Sequence, residues 1–193
     1  MLPTKEQARL IIKKYLKEDP NIEHCLLVGG GMGGVARLLG KTEDEINKWY
    51  IIGVLHDVDV ERYNGDIYKH CVIAEEILKQ EGIDQEIIDI IKTHNEVLGF
   101  ERKEEVEHAL YSVDGLSGII RAYVLMRPDK DIQVIETKSI LKKYKDKFFA
   151  AAVSREQIIL CESTLNIPLD KFIEAVITGI KEEKIYLNPK LEE

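Results

Sequence analysis

The residues able to do chemistry in this chain are imidazoles and carboxylates. The tract Tyr50-Ile51-Ile52-Gly53-Val54-Leu55-His56-Asp57-Val58-Asp59 carries an apolar run that ends abruptly in adjacent His56 and Asp57. Such groups are not buried unless paired or bound to a metal, so His56-Asp57 reads as the centre of a metal site. His24, His70, His94 and Asp114 also fall on apolar stretches with helical spacing rather than in polar loops. A lone histidine on an apolar face is ordinarily a satisfied core residue. Four of the five histidines in such settings, beside a His-Asp pair, shift the reading to a ligand set of His24, His56, Asp57, His70, His94 and Asp114. These donors suit Fe, Mn, Zn, Ni or Co, and no HExxH zinc motif is present. The fifth histidine, His108, stands six residues before Asp114, about 120° away around a helix. It reads as a residue behind the ligands or on the surface.

The elements that must position these residues all read as helices. Thr4-Lys5-Glu6-Gln7 is a capping box opening a helix to about Glu18. Asp19-Pro20-Asn21 breaks it, and a second segment from near Asn21 carries His24 into Gly29-Gly30-Gly31-Met32-Gly33-Gly34. Gly29-x-Gly31-x-x-Gly34 formally matches the dinucleotide fingerprint, which needs a strand before it, a helix after it and a parallel sheet. Leu26-Leu27-Val28 is too short to supply that strand, no βαβ series follows, and Val35-Ala36 stands where a P-loop needs Lys and Ser or Thr. The glycines therefore read as a helix face that lets another helix approach closely. A second capping box at Thr42-Glu43-Asp44-Glu45 starts the helix delivering His56. Further helices are expected over about Ile67–Gln80 with His70, from Asp84 up to His94, and over about Lys103–Arg127 with Asp114. Beyond Pro128 come two short basic pieces around Ser139–Ala152, a helix capped by Ser154-Arg155-Glu156-Gln157, and a last helix from Pro168 to about Lys184. The expectation is an all-α fold of roughly 8–10 helices in one domain over residues 1–193. Its metal-site core spans about 20–127, with a helical extension over 128–193.

A net charge of -8 argues against general nucleic-acid binding. It allows a small phosphorylated substrate, because a metal supplies local positive charge. Cys25, Cys71 and Cys161 form no CxxC and read as buried free thiols. The N-terminus has no signal-peptide core, and no apolar run reaches the roughly 20 residues that span a bilayer. The expectation is a cytoplasmic protein with no membrane partner; an exposed apolar helix face could support a homo-oligomer.

With six ligand types in this order, the sequence resembles the HD superfamily of metal-dependent phosphohydrolases, helical domains named for the His-Asp pair. The family pattern His…His-Asp…Asp is matched by His24, His56-Asp57 and Asp114. The resemblance implies that these four hold one metal and that Asp57 bridges to a second. His70 and His94 match the additional histidines of the dinuclear subset. That subset includes cyclic-dinucleotide phosphodiesterases, diadenosine tetraphosphate hydrolases and a few di-iron oxygenases. The likeness covers roughly residues 20–120. The stretch from Asp114-Gly115-Leu116-Ser117-Gly118 through Lys138-Ser139 to Arg155-Glu156 resembles a bacterial group of uncharacterised HD-domain predicted hydrolases.

Two departures are visible. No Gly-Tyr-Pro occurs, and His94 is followed by Asn95 and Glu96. The position three after the family Asp, often Lys or Glu, is Val60, flanked by Asp59 and Glu61. The resemblance thus implies hydrolysis of a phosphate ester, a nucleotide or dinucleotide by analogy, by water activated between two divalent transition metals about 3.5–4 Å apart. Asp59 or Glu61 would orient water or protonate the leaving oxygen, or else be solvated helix-end charges. Arg121, two helical turns after Asp114 on nearly the same face, is a candidate phosphate contact. Lys138 and Lys142 belong to the one basic cluster, with Lys143, Lys145, Lys147 and Arg155, and either fold over the site mouth or form a solvated face. The same ligands would also serve a di-iron oxygenase or a non-catalytic metal-binding regulatory module.

Overall fold

A computed structural model describes residues 2–185. Among them are nine α-helices, α1 (Lys5–Tyr15), α2 (Asp19–Leu38), α3 (Glu43–Leu55), α4 (Val72–Gln80), α5 (Gln85–Lys92), α6 (Glu105–Met126), α7 (Thr137–Lys145), α8 (Arg155–Thr164) and α9 (Leu169–Glu182), two 3-10 turns and no strand. The all-α expectation holds. No helix among these residues is long and apolar enough to cross a membrane.

Helix α2 runs through the glycine stretch without interruption, and every residue from Leu27 to Ala36 is buried. Each interior glycine costs a helix about 1 kcal/mol against alanine, and the packing explains why the cost is met. A Cβ on Gly53 of α3 would lie 2.8 Å from the Gly29 Cα, and a Cβ on Gly29 2.5 Å from a Val54 methyl. On another face, a Cβ on Gly34 would lie 2.1 Å from the Ala175 carbonyl oxygen, and one on Gly179 of α9 2.2 Å from the Gly30 oxygen. α2 is the spine: α3 and α9 lie against it backbone to backbone, and α6 packs across it at Val113 beside Gly31. The last helix is thus seated in the glycine seam of the segment that carries His24.

Gly33 is different, because a Cβ there would meet nothing nearer than Ile46 at 3.9 Å. Gly34→Ala is expected to lower stability by about 1–3 kcal/mol, since a backbone carbonyl cannot swing aside. Gly33→Ala is expected to raise it by up to about 1 kcal/mol through helix propensity alone. Paired denaturant melts check this; equal effects from both substitutions would remove the close-approach account.

Several boundaries differ from the sequence expectations. α1 stops at Tyr15 rather than near Glu18, because the Glu61 carboxylate accepts the backbone N–H groups of Lys17 and Glu18 and pulls the chain out of the helix. The expected helix over Ile67–Gln80 begins only at Val72; residues 56–71 form successive turns, and Cys71 sits in the left-handed region at φ 67°. The second basic piece after α7 is a run of turns, not a helix. The Arg155 guanidinium donates to the carbonyls of Tyr144, Asp146, Phe149, Ala150 and Val153 there. Arg155 is thereby committed to holding its own loop.

Candidate metal centre

Five segments bring the six candidate ligands together. His24 lies in the second turn of α2, His56 caps the end of α3 with Asp57 next to it, His70 closes the turns before α4, His94 follows α5, and Asp114 sits mid-way along α6. They form two pairs of histidines. The Nε2 atoms of His24 and His56 stand 3.2 Å apart, and those of His70 and His94 2.9 Å apart. Asp57 lies between the pairs. Its Oδ2 is 3.4 Å from His24 Nε2 and 3.5 Å from His56 Nε2, while its Oδ1 is 3.4 Å from both His70 Nε2 and His94 Nε2. Asp114 joins the first pair alone, its Oδ1 being 3.2 Å from His24 Nε2 and 3.8 Å from His56 Nε2.

The orientation of the imidazoles comes from groups behind them. His56 donates Nδ1–H to the Gly53 carbonyl at 2.8 Å, and His94 donates to the Ile91 carbonyl. The Ser117 hydroxyl donates to the Asp114 carbonyl at 2.7 Å, which leaves it to accept from His24 Nδ1 at 3.1 Å. His70 donates Nδ1–H to Asp59 at 2.9 Å. Every ring therefore spends its Nδ1 proton outward and aims Nε2 inward, the tautomer that metal-bound histidines take. Neutral rings would then present facing lone pairs at 2.9–3.2 Å with no proton between them. Donors 2.0–2.1 Å from a shared ion stand roughly 2.8–3.4 Å apart at octahedral to tetrahedral angles, close to the spacings found. The donor set fits divalent metal, with one Asp57 oxygen toward each histidine pair.

Without a metal, protons must fill the gaps. Burial alone would lower the His24 pKa, but the hydrogen-bonded carboxylates of Asp114 and Asp57 outweigh it and raise it to about 10. His70 is likewise raised to about 10, burial being overcome chiefly by Asp59. Burial pushes the Asp57 and Asp114 carboxyls upward, yet the surrounding imidazoles hold both well below the carboxylate range. His56 is fully buried, while the side chains of His24 and Asp114 retain 23% and 26% of their accessible surface, so the site opens on the side where those two meet.

A family model for the HD domain matches residues 21–154. The chain belongs to the HD domain family. No curated protein and no solved structure matches it at a significant level. Metal-dependent hydrolysis is the chemistry general to that family, and in this chain the Asp57 carboxylate of the His-Asp pair faces both histidine pairs.

The structure distributes the remaining expected site residues differently. Asp59 is completely buried and accepts from His70, from the Cys71 amide at 2.8 Å and from the Ala74 amide at 3.0 Å. Glu61 accepts from the amides of Lys17 and Glu18 and from the Asn21 side chain at 3.0 Å. Asp59 is thus no solvated charge, whereas Glu61 remains partly exposed; both are engaged with protein donors rather than turned to the space between the histidine pairs. Arg121 is held by Glu23 through Nε at 3.0 Å and Nη2 at 2.9 Å, which braces α6 against α2 one residue before His24. Lys138 pairs with Glu136 at the surface and Lys142 is exposed; no hydrogen bond or ion pair ties either to the six ligand residues. His108 lies on α6 away from the ligand contacts, as its phase on that helix requires.

Three supporting residues were not legible. Gln157 belongs to the sequence pattern of a capping box, but only half the box forms. Its amide donates to Ser154, while its side chain reaches across to the Tyr111 carbonyl at 2.7 Å and to Asp114 Oδ2 at 3.4 Å. Gly115 leaves room for it, since a Cβ there would meet the Gln157 side chain at 3.1 Å. Ser117, three residues after Asp114, is the second. Asn95 is the third: it donates to the carbonyls of Ile67 and His70 and ties the two segments that carry His70 and His94.

All three cysteines are free and buried, as expected. Cys71 is close to His70 and His94, but its sulfur is 3.7 Å from His94 Nδ1 and 4.0 Å from Nε2. A sulfur nearer the outward nitrogen lies beside the ring and not in front of the inward one. It walls the site instead of completing it.

Proposed function

We propose that this HD domain is a metal-dependent phosphohydrolase that uses two divalent transition metal ions and takes a small phosphate ester, with nucleotides and dinucleotides as the first class to test. The observation that carries the reading is the Asp57 carboxylate, one oxygen facing each inward-aimed histidine pair. When bound, such a pair of ions lowers the pKa of water toward neutrality and acts as a Lewis acid on a phosphoryl oxygen. The protein supplies the rest. His24, His56 and Asp114 would hold one ion, His70 and His94 the other, and Asp57 both. Ser117, Gly53, Asp59 and Ile91 hold the ring tautomers, so no reorientation of the rings would be needed as charge develops on the phosphoryl and leaving oxygens. Two divalent ions outweigh the carboxylates of Asp57, Asp59 and Asp114 and leave a net positive centre, which draws phosphate to a chain of net charge -8. Asp114 and His24, on the open side, are the ligands nearest an incoming ester.

The test is protein purified without chelators, analysed for metal and assayed for phosphate release on a panel of phosphomonoesters, cyclic nucleotides and dinucleoside polyphosphates. Release that depends on added Mn or Fe and vanishes in His56→Ala supports the reading. Two bound ions with oxygen consumption and no phosphate release would move the site to an oxygenase, and two bound ions with neither would make it a regulatory module.

A further inference from the structure

The two halves of the centre are not equivalent. The His24–His56 half has a second carboxylate, Asp114, among its inward-facing donors, and its rings are oriented by uncharged acceptors, the Ser117 hydroxyl and the Gly53 carbonyl. The His70–His94 half shares Asp57 but has no further inward-facing carboxylate among the described residues. Its additional carboxylate stands one step back, as Asp59 behind His70.

The placement of Asp59 is unusual in a second respect. Its Oδ1 takes the His70 Nδ1–H, and its Oδ2 takes the backbone N–H groups of Cys71 and Ala74. Those amides belong to the cap and first turn of α4, which has no side-chain cap of its own because Cys71 occupies that position. One fully buried carboxylate thus orients a ligand and satisfies the free amides of a helix start.

We propose that Asp59 is the positioning residue that gives the His70–His94 position its affinity for a metal ion, and that ion binding there tightens the start of α4 through the same carboxylate. A carboxylate accepting Nδ1–H makes the opposite nitrogen a stronger donor, and its loss costs about 10–100-fold in metal affinity in comparable sites. Once an ion occupies its Nε2 side, the His70 Nδ1–H becomes a stronger donor and fixes the Asp59 carboxylate more firmly, so Oδ2 is held steady against the Cys71 and Ala74 amides. This rests on the metal-binding part of the proposed function and not on the hydrolytic part.

The experiment is a cobalt(II) titration of the metal-free full chain, followed by visible absorption and calorimetry, for the native protein, Asp59→Asn and His70→Ala. The native chain is expected to bind two ions in two steps. His70→Ala should keep the first step and lose the second, which identifies it. Asp59→Asn should keep the first step and weaken the second about 10–100-fold. In the native chain, hydrogen exchange at the Cys71 and Ala74 amides should slow with the second equivalent of diamagnetic zinc and not with the first. Unchanged affinities in Asp59→Asn, or equal weakening of both steps, would overturn the proposal. If Asp59→Asn does not fold, the native exchange data decide alone, and protection that arrives with the first ion or never arrives overturns it. An absence of phosphate release from every ester would leave these readouts intact.

Discussion

Replacing Asp57 with alanine is expected to empty both metal positions at once and to reduce phosphate release on the order of 10³-fold or more, from the several kcal/mol that metal ions contribute to such reactions. The reason is geometric. Among the described residues, Asp57 is the one whose two oxygens face different histidine pairs, at 3.4–3.5 Å from four Nε2 atoms. Asp114 touches one pair only, so Asp114→Ala should weaken one ion and spare the other. Elemental analysis after gel filtration separates the two variants. Asp57→Ala should fall toward zero equivalents and Asp114→Ala toward one. If Asp57→Ala retains one full equivalent, the carboxylate does not bridge, and the two pairs are independent sites.

Metal binding to the chelated protein should release protons and strengthen steeply with pH. His24 and His70, one in each pair, are both raised to about 10 by their carboxylate neighbours, so each carries a proton at pH 7 that an ion must displace. Each displaced proton makes affinity rise about tenfold per pH unit below that value. Calorimetry in two buffers of different ionisation enthalpy counts the protons, and at least one per ion is expected. The stability of the metal-free chain should move the opposite way. Histidines raised from 6.5 contribute stability that is complete below pH 6.5 and is lost as pH climbs through about 10. The depressed carboxyls of Asp57 and Asp114 contribute above the ordinary carboxylate value of 3.8 and cease only in strong acid. The Tm of chelated protein should therefore fall between pH 7 and pH 10, while that of metal-loaded protein should not. A chelated Tm that rises over this window would mean the imidazoles are neutral and the network is held some other way.

The architecture was readable, and so were the residues that cluster around Asp57, because both rest on local pattern. The two Thr capping boxes formed at Thr4 and Thr42, and the long helix through Asp114 runs over Glu105–Met126. The glycine stretch was readable as a helix because nothing around it offered a sheet, and it is one. What sequence could not show is who sits behind a ligand. Asp59 looked like a possible partner for water because it is two residues from Asp57, but it lies in a turn, not a strand or helix, so spacing gives no direction. Its true partners are 11 to 15 residues away. Gln157 and Asp114 are 43 residues apart, and Arg121 found Glu23 across 98. A charged side chain near a ligand in sequence is legible; the donor that quenches it is a tertiary fact. The late start of α4 follows the same rule, since the carboxylate that satisfies its first amides comes from another segment.

The backbone contact between Gly29 and Gly53 has a mechanical consequence. It acts as a pivot, with His24 five residues from it on one arm and His56 three residues from it on the other. At 1.5 Å per helical residue these arms are only about 7.5 and 4.5 Å long. Coordination tolerates errors of about 0.2 Å, which on the longer arm corresponds to a swing of roughly 1.5°. A pivot placed far down the helices would magnify every thermal wobble at the blades; one placed this near keeps them in register. The hinge tolerates no filler: any side chain added at Gly29 or Gly53 opens the shears, and His24 and His56 part before the helices do.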